Sequence, residues 1–247
     1  MKRFLRRTIG WVIGFWYVAS GRRRQMLKRY DIPGVVLSVF SHKPTRTSFE
    51  QVVRWLIRNG FSFISADDLI DTECQKARVV WLSFDDGWES LGDDVIPILN
   101  KYQIPATIFV APNDQENVSR GRLMDVKELY RLARENPLIT LENHTMTHRR
   151  AAKIPVETFA AEVVQCSKIL KAETGREPRL CCYPYGVFTD ETQACVRRMG
   201  LRPVSTLPGV MTVDSLFWNR NMFGDDLTLI ENVGRILGAW RKIKSPV

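Results

Sequence analysis

"VVWLSFDDGWES", residues 79–90, runs four apolar residues into Ser83 and Phe84, then sets two carboxylates, Asp85 and Asp86, directly before Gly87. Val79–Phe84 reads as a short buried strand, and the glycine lets the chain turn where the strand ends. Two adjacent negative charges are costly to bury unless a cation or a proton lies between them. A plainer account is available, because Asp-Gly is a common turn pair and an aspartate there can cap the helix that follows.

The same rhythm extends outward in both directions. Strand-like segments fall at 35–40, 61–65, 106–110, 138–141, 180–184 and 203–206. Helix-like segments alternate with them at 48–58, around Asp68, and at 89–102, 125–135, 156–174, 191–199 and 227–242. Repeated units of this kind imply an α/β fold, a parallel sheet covered by helices and either open or closed into a barrel. In such folds the chemistry gathers at the C-terminal ends of the strands. With 247 residues, 45% of them apolar, and no linker or internal repeat, a single domain is expected.

The net charge of +9 suggests nucleic acid until it is located. Nine basic residues (Lys2, Arg3, Arg6, Arg7, Arg22, Arg23, Arg24, Lys28, Arg29) lie in the first 30 positions with no acid among them. The remainder holds 27 basic and 27 acidic residues, so the body is formally neutral and nucleic acid is not an expected partner. Between Arg7 and Arg22 lie 14 uncharged residues rich in Trp, Phe, Tyr, Val and Ile. As a helix this block is roughly 21 Å long, short of the ~30 Å hydrocarbon core. Residues 1–32 therefore read as an arm that lies in an anionic membrane surface through residues 3–29. That places the protein at the inner membrane, on its cytoplasmic face. The alternative is an exported or periplasmic protein with a signal peptide cleaved near Ala19. The five cysteines show neither a zinc-knuckle nor a secreted disulfide spacing, and adjacent Cys181 and Cys182 read as small buried packing groups.

Three further strand ends carry polar groups. "ENHTMTH", 142–148, puts His144 and His148 four residues apart, so one helical turn would aim both imidazoles the same way. The other reading is a pair of polar loop residues. One carboxylate plus two imidazoles is a three-donor set for zinc or a similar divalent ion, leaving the second aspartate free to take a proton from water. "CCYPYG", 181–186, closes another strand with a tight turn through Pro184, Tyr185 and Gly186. His42 ends the first core strand, and it is the one imidazole outside the pair.

"SFDDG", "HTMTH" and "YPYG", in this order, resemble the polysaccharide deacetylase (NodB-homology, carbohydrate esterase 4) family. The likeness covers roughly residues 33–220 and includes "SFEQVVRWLIRNGFSFISADDL" and the text between the last two motifs. It implies a distorted (β/α)7 barrel over 33–247 and metal-dependent removal of an acetyl group, with Zn2+ (or Ni2+ or Co2+) as cofactor. Carried over by position, Asp85 is the general base, Asp86, His144 and His148 hold the metal, and the Tyr185 backbone N–H stabilises the oxyanion. Trp88, Pro184 and Arg220 fall on the substrate-binding side.

Two departures matter. The usual family takes its general-acid histidine from a late motif, and no histidine follows His148 here. A circularly permuted branch that acts on poly-N-acetylglucosamine carries it on the first strand, which His42 matches. Many members also hold an arginine two residues before the proline, where this chain has Cys182. Arg220 is the expected substitute for orienting Asp85, since Arg179 precedes its strand and belongs at the wrong end. The implied activity is deacetylation of an N-acetylated glycan or glycolipid. An O-acetyl esterase on the same scaffold and a catalytically silent glycan-binding relative are the alternatives.

Overall fold

The computed structural model describes residues 22–71, 74, 76–114, 123–224 and 227–238. Most of the arm and the end of the expected 227–242 helix lie outside these residues. Helix α1 (Arg22–Leu27) and a 3-10 turn (Lys28–Asp31) lead in, with Tyr30 buried edge-on against Phe61 at 5.7 Å. Among the described residues, no helix is long and apolar enough to cross a membrane.

The strands are β1 (Val35–Ser41), β2 (Ser62–Phe63), β3 (Val79–Asp85), β4 (Ala106–Val110), β5 (Ile139–Asn143), β6 (Leu180–Cys182), β7 (Arg202–Val204), β8 (Met211–Thr212) and β9 (Asn221–Met222). They form one curled sheet in the order β7-β6-β5-β4-β3-β1-β8, parallel except for β8, with β2 also on β3 and β9 also on β1. The helices are α2 (Arg46–Arg58), α3 (Ala66–Asp71), α4 (Ile96–Tyr102), α5 (Val126–Glu135), α6 (Val156–Thr174), α7 (Asp190–Arg198) and α8 (Leu229–Ile236). The result is the (β/α) barrel expected, in distorted form.

Period-two alternation sorts the strand side chains between two cores. Leu37 and Val39 of β1 and Val80, Leu82 and Phe84 of β3 face outward, packing with Phe49, Val52, Val53 and Leu56 of α2. Phe49 stands edge-on to Phe84 at 5.7 Å, and its truncation to alanine costs about 3–5 kcal/mol. Val36, Val79, Trp81, Phe109, Cys182 and Trp218 fill the inside, where Ala66 and Leu69 of α3 join them. Ser83 and Asp85 continue the inward row of Val79 and Trp81, so the first carboxylate points into the barrel.

The helix ends follow local chemistry. The Thr45 side chain accepts from Ser48 N at the start of α2, Asp125 caps α5, and Thr189 with Thr192 forms a capping box on α7. Several expected boundaries shift. The strand at 61–65 shrinks to two residues, and the one at 138–141 extends to Asn143. The 203–206 strand ends at Val204. The helix expected over 89–102 opens with a π-helical turn, Leu91–Val95. The short strands β8 and β9 were not expected, since two residues carry no periodic signal. The segment containing β9 matters most. Trp218 N donates to Pro203 O (2.9 Å) and Ser205 N to Trp218 O (3.0 Å), while Asn221 and Met222 pair with Val39 and Phe40. Residues 218–222 thus bridge the two edges of the sheet, with Arg220 at their centre.

Candidate active site

Strand β3 delivers Asp85 to the mouth of the barrel, and the bridging segment meets it with a guanidinium. Arg220 Nη1 and Nη2 donate to Asp85 Oδ1 and Oδ2 at 2.6 and 2.8 Å. Its remaining donors go to Ser83 Oγ (3.0 Å), Ser205 O (3.1 Å) and Cys182 Sγ (2.8 Å). The guanidinium also lies 4.3 Å from the centre of the Phe40 ring. Arg220 is 0% exposed, so it stands behind Asp85 as an orienting group and has no surface to offer a substrate. Burial alone would raise the Asp85 pKa, but the charge and hydrogen bonds of Arg220 outweigh it and hold the carboxyl below its ordinary range. Cys182, which accepts from Arg220 Nη2, stands where the resemblance leads one to expect an arginine.

Asp86 turns the other way. Its φ of 71° is left-handed, and Gly87 follows at 77°, where a Cβ would come within 2.6 Å of Leu129. The Asp86 side chain is buried, with Oδ2 accepting from Trp88 Nε1 at 3.2 Å. Oδ1 lies 3.2 Å from His148 Nε2 and 3.5 Å from His144 Nε2, yet it has no hydrogen bond in acceptable geometry. Burial would raise the Asp86 pKa, and the two imidazoles drive it well below the usual carboxylate range instead.

The histidines do not share the expected helical turn. His144 continues the β5 ladder, its N–H donating to Val110 O at 3.1 Å, and the chain then passes through left-handed Thr145 (φ 65°) and His148 (φ 58°). Glu162 of α6 holds this loop, accepting from Thr147 N and Oγ1 and from Arg149 Nε at 3.1, 2.7 and 2.9 Å. Asn143 adds a second clamp, with Oδ1 accepting from Thr145 N and Nδ2 donating to Val163 O. His144 Nδ1 sits 2.8 Å from the Cys182 carbonyl, which only accepts, so Nδ1 carries a proton and Nε2 is the nitrogen that faces Asp86. Burial disfavours protonated His144, but its neighbours Cys182 and Asp86 pull its pKa up.

These features fit a metal. Asp86, His144 and His148 each offer a donor atom within 4.8 Å of the others, and an orphaned carboxylate oxygen faces two imidazole nitrogens. Two nitrogens and one carboxylate oxygen suit zinc or a similar divalent ion with open positions.

The remaining expected residues gather around this cluster. β1 pairs in parallel with β3 through Ser41↔Phe84, so His42 follows at the level of Asp85. It is half-buried and edge-on to Phe40 at 5.7 Å. Tyr185 (φ 61°) lies between buried Pro184 and Gly186, where a Cβ would come within 1.8 Å of Thr206 Oγ1. Its ring is 4.8 Å from that of His148 and 3.6 Å from the Arg150 guanidinium. Left-handed Asp86, Thr145, His148 and Tyr185 thus ring one mouth, and backbone strain of this kind clusters where function requires it.

The sequence model described as Polysaccharide deacetylase matches residues 72–204, more than half of the chain. The chain belongs to the polysaccharide deacetylase family. It is 24% identical over 174 residues to the poly-β-1,6-N-acetyl-D-glucosamine N-deacetylase of Staphylococcus aureus, covering 66% of this chain and 60% of that protein. The match thus spans about three-fifths of the length of that relative. Among solved structures, the fold is similar to the Streptococcus pyogenes deacetylase PplD in complex with acetate (TM-score 0.71, 19% identity, 83% of this chain and 99% of that one). It is also similar to IcaB from Ammonifex degensii (TM-score 0.69, 23% identity, 79% and 94%).

Within this deacetylase scaffold, His42 and Arg220 lie outside the stretch that the family model matches. Sequence reasoning missed Ser83 and Glu162. Ser83 had a usable signal, its inward register two residues before Asp85. Glu162 is one of several acids along α6, and nothing local marks the one that reaches the histidine loop.

Proposed function

We propose that this carbohydrate deacetylase is a metal-dependent hydrolase that removes the N-acetyl group from an amino sugar in a glycan or glycolipid. The observation that carries the reading is the convergence of Asp86 Oδ1, His144 Nε2 and His148 Nε2 beside an Asp85 locked by Arg220. In this reading Asp86, His144 and His148 hold the divalent ion, most simply zinc. When bound, that ion polarises the acetyl carbonyl and makes water easier to deprotonate.

The protein's own groups do the rest. Asp85, held ionised and oriented by Arg220, takes a proton from water as its oxygen attacks the acetyl carbon. The Tyr185 backbone N–H donates to the oxygen that gains charge, and Trp88 and Pro184 shape the substrate side of the mouth. His42, as the general acid, gives a proton to the sugar nitrogen as the C–N bond breaks, leaving acetate and a free amine. The N-acetylglucosamine polymer named for the staphylococcal relative is one member of this substrate class. The basic, aromatic arm supports a second element of the proposal: residues 3–29 hold the enzyme on the inner membrane, which favours a cell-envelope or lipid-linked saccharide. The body's neutral balance supports the absence of a nucleic-acid partner.

Acetate release from a panel of acetylated glycans and lipid-linked sugars tests the reading, with Asp86→Asn as control. Release by the wild type that is absent in the variant is the expected result. No release from any member of the panel overturns it.

A further inference from the structure

The two imidazoles present Nε2 to the same point, but their other nitrogens meet different partners. His144 Nδ1 is held by the carbonyl of Cys182 at 2.8 Å. His148 Nδ1 is buried without a hydrogen bond among the described residues, and the Oδ2 of Asp114 lies 3.7 Å from it. Asp114 is itself 3% exposed, so a second carboxylate has been placed deep beside the cluster. Its position is built in. Asp114 N donates to Ala111 O (3.2 Å) in the turn that follows β4, and Asn113 N donates to Met146 O (2.9 Å), clipping that turn onto the histidine loop.

We infer that Asp114 is a positioning residue of the metal centre, accepting the Nδ1–H of His148 so that its Nε2 lone pair points at the ion. The inference rests on the reading that Asp86, His144 and His148 hold a divalent ion. The gap exceeds a hydrogen bond by about 0.8 Å, a distance that a small rotation of either side chain closes. The two histidines are then oriented by different means, one by a neutral backbone acceptor and one by a carboxylate. Metal-ligating histidines characteristically need such a partner on the second nitrogen.

Calorimetric titration of the metal-stripped full chain with Zn2+, and absorption spectra after loading Co2+, test this in wild type, Asp114→Ala, Asp114→Asn and His148→Ala. The expected result is roughly 10–100-fold weaker Zn2+ binding and a shifted Co2+ spectrum in Asp114→Ala. Asp114→Asn, which keeps a neutral acceptor, falls between Ala and wild type, and the apo proteins melt within a few degrees of one another. Zn2+ affinity within threefold of wild type and an unchanged Co2+ spectrum in Asp114→Ala, with binding lost in His148→Ala, overturn the assignment. If Asp114→Ala does not fold, the Asn variant decides by the same two readouts. A wild type that binds neither ion removes the underlying reading, and the inference falls with it.

Discussion

Two buried carboxylates at strand ends, Glu142 on β5 and Asp86 after β3, are treated in opposite ways. Glu142 is fully served: Oε1 accepts from Arg176 Nη1 at 2.7 Å, and Oε2 accepts from the backbone N–H groups of Arg179 and Leu180 at 2.8 Å each. Arg176 and Arg179 continue to Asp67 and Asp71 of α3, each at 2.6 Å, so the acid anchors a closed ionic network. Asp86 has one oxygen on Trp88 and the other facing two imidazoles without a hydrogen bond. None of the non-glycine left-handed residues belongs to the Glu142 network, whereas four ring the Asp86 mouth. A satisfied, unstrained acid holds the fold together. An acid left incomplete between two imidazoles is what the proposed metal site calls for.

The contrast breaks most visibly at Asp86. Asp86→Asn should abolish Zn2+ binding in calorimetry and acetate release, while leaving the apo melting temperature within a few degrees of wild type. A large loss of apo stability would make Asp86 structural like Glu142. Next in size is His42→Ala, expected to slow N-acetyl hydrolysis by ~10²–10⁴-fold and to affect an O-acetyl ester much less, since alkoxide leaves more readily. Equal turnover of the amide substrate by variant and wild type removes His42 as the acid.

Smaller effects separate the two regions through stability. Arg220→Met strands Asp85 and should cost about 3–5 kcal/mol in denaturant unfolding, with turnover lost as well. Glu142→Ala strands the inward side of Arg176 and belongs to the same range or below it, but Zn2+ affinity should stay within threefold. A matching loss of affinity would merge the two regions into one. The smallest expected effect is in pH. Because Arg220 holds the Asp85 pKa below its ordinary 3.8, the stability from this pair is present above that value and lost as the pH falls through the folded one. Unfolding free energies measured below about pH 4 should therefore fall more steeply in wild type than in Asp85→Asn.

The order of strands and helices was legible because each βα unit carries its own hydrophobic period and its own stop. The 19 residues of α6, closed by left-handed Gly175, show this most clearly. Asp85, Asp86, His144 and His148 were legible as residues at strand ends, but the way the two histidines converge was not. Spacing of four suggested a helical turn, and Glu162 and Asn143 instead hold a bent loop whose strain no local pattern announces. Arg220 was reached by elimination. It arrives from a segment that bridges the sheet edges far along the chain, and its pairing with Asp85 is a tertiary fact. Asp114 left no signal at all, since its meaning depends on the distance from a turn after β4 to a loop after β5.

The central claim is that Asp86, His144 and His148 serve a divalent ion without which Asp85 has no reaction to assist. The most direct measurement is acetate release from an N-acetylated glycan by the chelator-stripped full chain, before and after one equivalent of Zn2+, Ni2+ or Co2+. The account predicts no release from the stripped protein and release on re-addition of at least one of these ions. Equal release with and without metal, or none from any substrate after reloading, would contradict it.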